Sequence, residues 1–446
     1  MDLIYTTIEQ IGYLFYIVDP RKHIYHRVED VPDYVSQVIP YFSCFMALEQ
    51  IVAAVRGYKL ARITDSFTSI AAGILMEQSK IVMRSLLIVF YIFVHQNFAL
   101  CSLNGDVTSW LIALVALDFT YYWFHRASHE VNFLWAIHQT HHSSEDYNLS
   151  TASRQSILQV YFHAFWFIPM ALFFPAPMFL VHLQLNVLYQ FWLHTELIPS
   201  LGPIEWVFNT PSVHRVHHGR NRYCIDKNYA GFLTIWDRMF GTFESEKDPI
   251  VYGLVHPINT FDAWTVQNSG FIDIWNRLKT SKGLVHSLSI IFKGPGWDVG
   301  KPRLGDPNDI PEVNYKTATK YDPKHSIFMN LYFVLHIGAI LVFHMNMVQT
   351  ATIDNPLTYL FLGYLTFSIV CVSKLMNGKD WSKQELARCL IFFALESTFN
   401  ANFMDKLSIQ VGIPDLGRLI FFLSTLYWTT KLVKINDGFG KRCKVN

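Results

Sequence analysis

Residues 107–144 read VTSWLIALVALDFTYYWFHRASHEVNFLWAIHQTHHSS, an apolar run that leads directly into five histidines. A helix that crosses a bilayer needs about 20 mostly apolar residues, and Val107–Phe124 is close to that length. His125 and His129 follow the run at once, and the remaining three histidines lie within the next turns of chain. The stretch therefore predicts a membrane helix whose end carries a cluster of imidazole groups.

The composition of the whole chain supports a membrane protein. Of its 446 residues, 51% are hydrophobic and only 16% are charged, with a mean hydropathy of +0.21. Soluble domains carry about 25% charged residues. The net charge of +1 provides no general basic surface, so nucleic acid is not expected as a partner.

Further apolar runs predict an all-α, polytopic membrane bundle. Glu49 and Gln50 weaken the first of these runs, and prolines at 175 and 177 break the long third one. That break predicts a helical hairpin that enters and leaves the bilayer on the same side. The additional candidate spans are Val35–Val55, Ser85–Leu103, Ile157–Leu193, Ile327–Val348, Leu357–Ser373, Leu386–Met404 and Leu419–Val433.

The distribution of Lys and Arg predicts the orientation and the division of the chain. Segments rich in Lys and Arg lie at 56–62, 374–384 and 431–446, and such segments favour the cytosolic side. The one alternating path that satisfies them places the N-terminus outside and the histidine motifs and C-terminus in the cytosol. We expect N-terminal spans over 1–106, a catalytic region over 107–325 and a C-terminal membrane bundle over 326–446.

Three histidine motifs predict a metal centre. Residues four apart share one face of a helix, so His125 and His129 can reach one ion, as can His138 and His142. Adjacent histidines diverge by about 100° on a helix. One motif can therefore touch two ions, and three motifs can enclose a pair. Imidazole suits iron, zinc, copper and nickel, and the spacing does not separate iron from zinc. The motifs are His125/His129, His138/His141/His142 and His214/His217/His218.

Two longer stretches carry a resemblance to a known family. The sequences LDFTYYWFHRASHE (Leu117–Glu130) and TPSVHRVHHGRNRYCIDKNYAGFLTIWDRMFGTF (Thr210–Phe243) resemble the membrane fatty acid hydroxylase/sterol desaturase superfamily. The resemblance covers roughly Val107–Phe243. It implies that the eight motif histidines bind a di-iron centre, with His194 as a ninth ligand.

Three further polar residues are candidates for a catalytic role. Asp118 lies seven residues before His125 on the same helical face, and we expect it to accept a hydrogen bond that fixes an imidazole tautomer. Glu130 and Asn228 are expected in the outer shell of the centre or near the cofactor, with ordinary surface or turn roles as the alternative.

Within the superfamily, the chain length, the C-terminal spans and the wording HHGRNRYCIDKNY (His217–Tyr229) are most similar to the branch that cleaves the ether bond of alkylglycerols. This resemblance implies hydroxylation of the alkyl carbon next to the ether oxygen, which yields a hemiacetal and then a fatty aldehyde and a glycerol derivative. It further implies two iron ions, O2, tetrahydrobiopterin with a pterin-recycling system as indirect partner, an ether lipid substrate from the membrane, and the endoplasmic reticulum.

Two other kinds of protein stay open on sequence grounds. A sterol desaturase, sterol methyl oxidase or fatty acid hydroxylase of the same superfamily would share these motifs. A membrane transporter or scaffold that binds zinc through the histidines belongs to a different class. Structural zinc sites usually close with four ligands and often include cysteine, and this chain has no cysteine pair near its histidines.

Overall fold

The computed structural model describes residues 2–103, 105–350, 355–398 and 414–442. This described part is helical, with isolated bridges such as Phe208–Leu233 but no strand, so the predicted all-α fold is confirmed. The α-helices are α1 Asp2–Tyr13, α2 Tyr34–Val55, α3 Ile63–Phe98, α4 Val107–Glu130, α5 Asn132–His142, α6 Gln159–Trp166, α7 Ala176–Tyr189, α8 Pro211–His218, α9 Ile235–Met239, α10 Ala263–Lys279, α11 Leu284–Phe292, α12 Ile327–Thr350, α13 Pro356–Met376, α14 Ser382–Thr398 and α15 Pro414–Arg442.

Several of these helices can cross a membrane. At 1.5 Å per residue, α4 is about 36 Å long and exceeds the roughly 30 Å hydrocarbon core of a bilayer. The predicted span Leu386–Met404 begins in α14 but ends outside the described residues. Among the described residues, the segments long and apolar enough to cross are Val28–Val55, Val107–Glu130, Ile327–Met345 and Pro356–Met376, with shorter apolar helices at Leu87–Phe98 and Ala176–Tyr189.

The apolar run 157–193 breaks where its prolines predict. It forms α6 and α7, and Pro177 lies in the first turn of α7, where a missing N–H costs little. The intervening residues bond to the end of α3, since the Tyr91 hydroxyl donates to the Phe174 carbonyl at 3.0 Å. With 8 and 14 residues, α6 and α7 are each shorter than a full bilayer crossing.

The chain forms two compact units. The first contains residues 1–259 and 266–320, and it carries all three histidine motifs. The second contains residues 260–265 and 321–446. Its interior holds a fully buried ion pair, with the Arg388 guanidinium 2.5 Å from Glu385 and donating to His336 Nδ1 at 2.8 Å.

Glu49, which weakens the first predicted span, has a structural reason to lie within α2. Its side chain is buried, and its carboxylate accepts hydrogen bonds from the Thr195 hydroxyl at 2.6 Å and the Leu149 N–H at 2.9 Å. A charged group in an apolar helix is costly unless such partners compensate it. Glu49 therefore ties α2 to two loops, one of which begins next to His194.

Asp118 does not have its expected role. Its buried carboxylate accepts from the N–H groups of Phe232 and Leu233 and the Trp236 indole at 2.8–2.9 Å, and from the Asn186 amide at 3.1 Å. None of these donors is an imidazole. Seven residues of helix correspond to about 10.5 Å along α4, which takes the carboxylate away from the His125 ring and towards the loop before α9. Asp118 instead holds that loop.

Replacing Asp118 by Ala should lower thermal stability strongly, because it leaves several buried donors without an acceptor. Each such donor costs about 1–3 kcal/mol, so a combined loss of roughly 3 kcal/mol or more is expected. The measurement is the unfolding midpoint of detergent-solubilised protein. Thr120→Ala is the matched control, since its hydroxyl bonds within α4 to the Ala116 carbonyl at 2.8 Å. Equal midpoints for the two variants would contradict the assigned role.

Candidate metal centre

Nine buried imidazoles converge in the first unit, in two groups. Within each group, the candidate ligand atoms all lie within 4.8 Å of one another. We call the groups site A and site B. Site A comprises His125, His129, His138, His142 and His217, and site B comprises His141, His194, His214 and His218.

Helical geometry explains how the three motifs divide between the sites. His125 and His129 lie one above the other on the last turns of α4, and both belong to site A. The neighbours His141 and His142 end α5 and point to different sites, as their divergence predicts. The same division separates His217 from His218 at the end of α8. His194, beyond α7, completes site B.

The distances between nitrogens fit a bound metal. Two nitrogens that bind one ion at about 2.1 Å lie roughly 3.0–3.4 Å apart for bond angles between a right angle and a tetrahedral one. Without an ion, uncharged imidazole nitrogens gain little from such an approach unless one is a donor. The observed Nε2–Nε2 distances are 3.0 Å for His125–His138, 3.2 Å for His138–His142, 3.3 Å for His141–His194 and 3.2 Å for His194–His214.

Backbone carbonyls fix the orientation of several rings from behind. A carbonyl oxygen only accepts, so an imidazole bonded to it carries its proton on Nδ1 and turns an unprotonated Nε2 towards the site. This is the tautomer that binds metal. The Nδ1–carbonyl pairs are His125 with Tyr229 at 2.8 Å, His141 with Arg154 at 3.1 Å, His194 with Gln190 at 2.8 Å and His217 with Lys227 at 2.9 Å.

Burial favours the neutral form of His194 and of the histidines in the second and third motifs. It disfavours the charged imidazolium, and together with the neighbouring imidazoles it lowers the pKa of His141 and His217 well below the ordinary value. Burial also lowers the pKa of His194 to about 4. The inward Nε2 atoms of His129, His217 and His218 are buried without a hydrogen-bond partner. Buried nitrogens without a partner are what a metal site requires, so the residues fit a pair of ions.

Asn228 shapes the backbone behind site A. Its φ of 55° lies in the left-handed region, which Asn tolerates better than most residues. This turn directs the two flanking carbonyls at imidazoles, with Lys227 bonded to His217 and Tyr229 bonded to His125. Asn228 therefore positions two candidate ligands without contacting the site itself.

The Asn228 side chain holds this turn in place. Its amide donates to the Val213 carbonyl at 2.9 Å and the Glu244 carbonyl at 2.7 Å, and its oxygen accepts from the Glu244 N–H at 2.8 Å. Asp237 supports the same segment by accepting from the N–H groups of Tyr229 and Ala230 at 2.8 and 2.9 Å. The turn is thereby fixed to α8 and α9.

Glu130 has ion-pair partners. One carboxylate oxygen lies 2.7 Å from Arg126 Nε and the other 3.2 Å from Arg303 Nη1. These contacts correspond to the ordinary surface role that the sequence left open, and they secure the end of α4.

Sequence reasoning missed a buried ion pair behind His141. Arg154 is 1% exposed, and its guanidinium donates to Asp65 Oδ1 at 2.9 Å and to the hydroxyls of Ser69 and Ser143 at 3.0 and 3.1 Å. The Arg154 carbonyl is the acceptor of His141. Asp65 and Arg154 are 89 residues apart in the chain, so no local pattern reveals that they pair.

The similarity of this chain to known proteins extends well beyond the histidine motifs. Residues 110–242 match the fatty acid hydroxylase family. The chain is similar to alkylglycerol monooxygenases of Homo sapiens, at 45% identity over 94% of both chains, and Xenopus tropicalis, at 43% over 95% of this chain and 94% of the relative. The Caenorhabditis elegans protein of that name is 34% identical over 87% of this chain and 82% of its own. No solved structure matches the chain.

Replacing His217 (site A) or His218 (site B) by Ala should lower the metal bound to purified protein, because each substitution removes an inward nitrogen. Metal content measured by mass spectrometry tests this. His182→Ala is the control, since that buried imidazole lies outside both sites and bonds to the Tyr16 hydroxyl at 2.8 Å. Metal content in the His217 and His218 variants equal to that of the control would contradict the two-site assignment.

Substitutions of Asn228 should separate the backbone turn from its side-chain bonds. Asn228→Gly loses the side-chain hydrogen bonds but keeps easy access to the left-handed region. Asn228→Ala loses the hydrogen bonds and this access, and the strained backbone adds a cost of about 1–2 kcal/mol. We expect metal affinity to fall by about 10–100-fold in the Ala variant and less in the Gly variant. Metal titration measures the order. Equal affinities for wild type and Ala would refute a positioning role.

Proposed function

The chain belongs to the alkylglycerol monooxygenase family, and from this premise we propose that it hydroxylates the alkyl carbon next to the ether oxygen of alkylglycerols. The observation that carries the proposal is the pair of all-imidazole sites at the end of a membrane helix. A metal centre at the end of a membrane helix lies within reach of the alkyl chain of a membrane lipid.

We propose that sites A and B each bind one iron ion. Imidazole suits iron and zinc alike. Oxidation of a C–H bond requires a redox-active metal, and zinc has no redox chemistry. When bound, the two ions supply the activation of O2 and the transfer of one of its oxygen atoms to the substrate. The protein contributes neutral ligands of fixed orientation and a position next to the lipid.

The proposed reaction balances with a two-electron donor. The ether RCH2–O–R′ gains one oxygen atom as RCH(OH)–O–R′, and the other atom of O2 leaves as water with two protons and two electrons. The hemiacetal then loses R′OH, which leaves the fatty aldehyde RCHO. We assign tetrahydrobiopterin as the donor, with a pterin-recycling system that restores it.

Apolar side chains around the end of α4 support the approach of an alkyl chain. Phe124, next to His125, is 2% exposed, and its ring centroid lies 4.9 Å from that of His163 and 5.9 Å from that of Trp166 in α6. These contacts bring the apolar segment 157–193 next to His125.

We propose that the sites face the cytosol from the endoplasmic reticulum membrane. The basic segment 56–62 follows α2, and its Arg62 lies 3.0 Å from Asp146, four residues beyond His142. Lys320 lies 2.6 Å from the same carboxylate. Basic residues thus lie close to the second histidine motif, and the positive-inside rule favours a cytosolic location for them, which supports the proposal.

Reconstituted protein should release a fatty aldehyde from an alkylglycerol only when iron, O2 and tetrahydrobiopterin are all supplied. The assay measures aldehyde by mass spectrometry and follows ¹⁸O2 into the product, with His217→Ala as the inactive control and His182→Ala as the active one. Equal turnover with another reductant would refute the pterin assignment. Oxidation of a sterol or a free fatty acid in place of the ether would refute the substrate.

A further inference from the structure

Helix α11, Leu284–Phe292, exposes an unusual surface. Its nine residues read LVHSLSIIF, and its polar members His286, Ser287 and Ser289 are only partly exposed. The most exposed residues of α11 are all large and apolar. These residues are Leu284 at 73%, Val285 at 80%, Leu288 at 43% and Phe292 at 59%.

The opposite side of α11 is also apolar, and it faces the interior of the first unit. Ile290 is 2% exposed and packs in one cluster with Ala136 of α5, Ile274 of α10 and Trp297. The exposed residues are therefore not a misplaced core face. A helix that is apolar on both sides requires an apolar environment on its outer side as well.

Hydrogen bonds fix α11 at the level where a membrane helix ends. The predicted span α4 ends at Glu130, and Asn132 follows two residues later. The Asn132 backbone N–H donates to the Lys293 carbonyl at 2.8 Å, and its side chain donates to the Ile290 carbonyl, also at 2.8 Å. The C-terminal end of α11 thus adjoins the end of the candidate span α4.

Basic residues flank the apolar surface. Lys282 is exposed just before α11, and Lys293 follows its last residue with the ammonium 4.3 Å from the centre of the Trp297 ring. Lys side chains at the ends of an apolar helix can reach lipid phosphates while the helix lies in the acyl region. The neighbouring α10 differs, since Asp273 and Asn276 are exposed among its apolar residues.

We propose that α11 is an interfacial helix that lies in the plane of the membrane. The side chains of Leu284, Val285, Leu288 and Phe292 enter the boundary between lipid headgroups and acyl chains. The lipid bilayer is the partner of this surface. The proposal is independent of the reaction, since it depends only on α11 and on the end of α4.

Spin labels on single cysteines test the environment of this surface in reconstituted vesicles. Exposed Cys44 and Cys101, together with Cys443, are first replaced by Ser, while the buried cysteines stay. Labels are placed by V285C and L288C. L111C, on the exposed side of α4, is the lipid control, and K316C, in an exposed polar loop, is the water control. Elution as a single folded species checks each variant.

The readout is the ratio of collision rates with O2, which partitions into lipid, and with a water-soluble nickel chelate. We expect the logarithm of this ratio to be positive for V285C and L288C, as for L111C, and negative for K316C. A negative value at 285 and 288 would show a water-exposed helix and overturn the proposal. Low collision rates with both reagents would show that protein covers the surface, which would also overturn it.

Discussion

The structure depends on one electrostatic constraint, which is that nine buried imidazoles converge on two points. Burial keeps the rings of the second and third motifs neutral, since an imidazolium in this setting would lose its hydration and meet its neighbours as like charges. Neutral rings still leave several Nε2 atoms without a hydrogen bond. Such atoms destabilise a fold by about 1–3 kcal/mol each unless a ligand satisfies them. A metal ion bound in each group would compensate for this cost.

Groups outside the two sites hold the rings in place, and they come from distant parts of the chain. The left-handed turn at Asn228 supplies carbonyls to His217 and His125, and the loop held by the Arg154–Asp65 pair supplies one to His141. Each of these acceptors is a main-chain group, so its position follows from the path of the backbone. The path is fixed in turn by buried carboxylates, among them Asp118 in α4.

The sequence predicts the parts of the site that depend on helical periodicity. Spacings of four place histidines on one face, and adjacent histidines diverge, so the division of His141 and His142 between two sites follows from the angle between successive residues. Contacts across long loops have no such periodicity. The expected role of Asp118 was wrong because a shared helical face does not show which loop lies opposite it. Asp65 and Arg154 pair only because α3 packs against the loop after α5.

The division of neighbouring histidines between the sites also links the two sites mechanically. His141 and His142 belong to the same turn of α5, and His217 and His218 to the same turn of α8. A roll of either helix about its axis moves the nitrogens of both histidines at once. The two groups of ligands therefore cannot be repositioned independently of each other, because each of these two helices carries nitrogens of both sites.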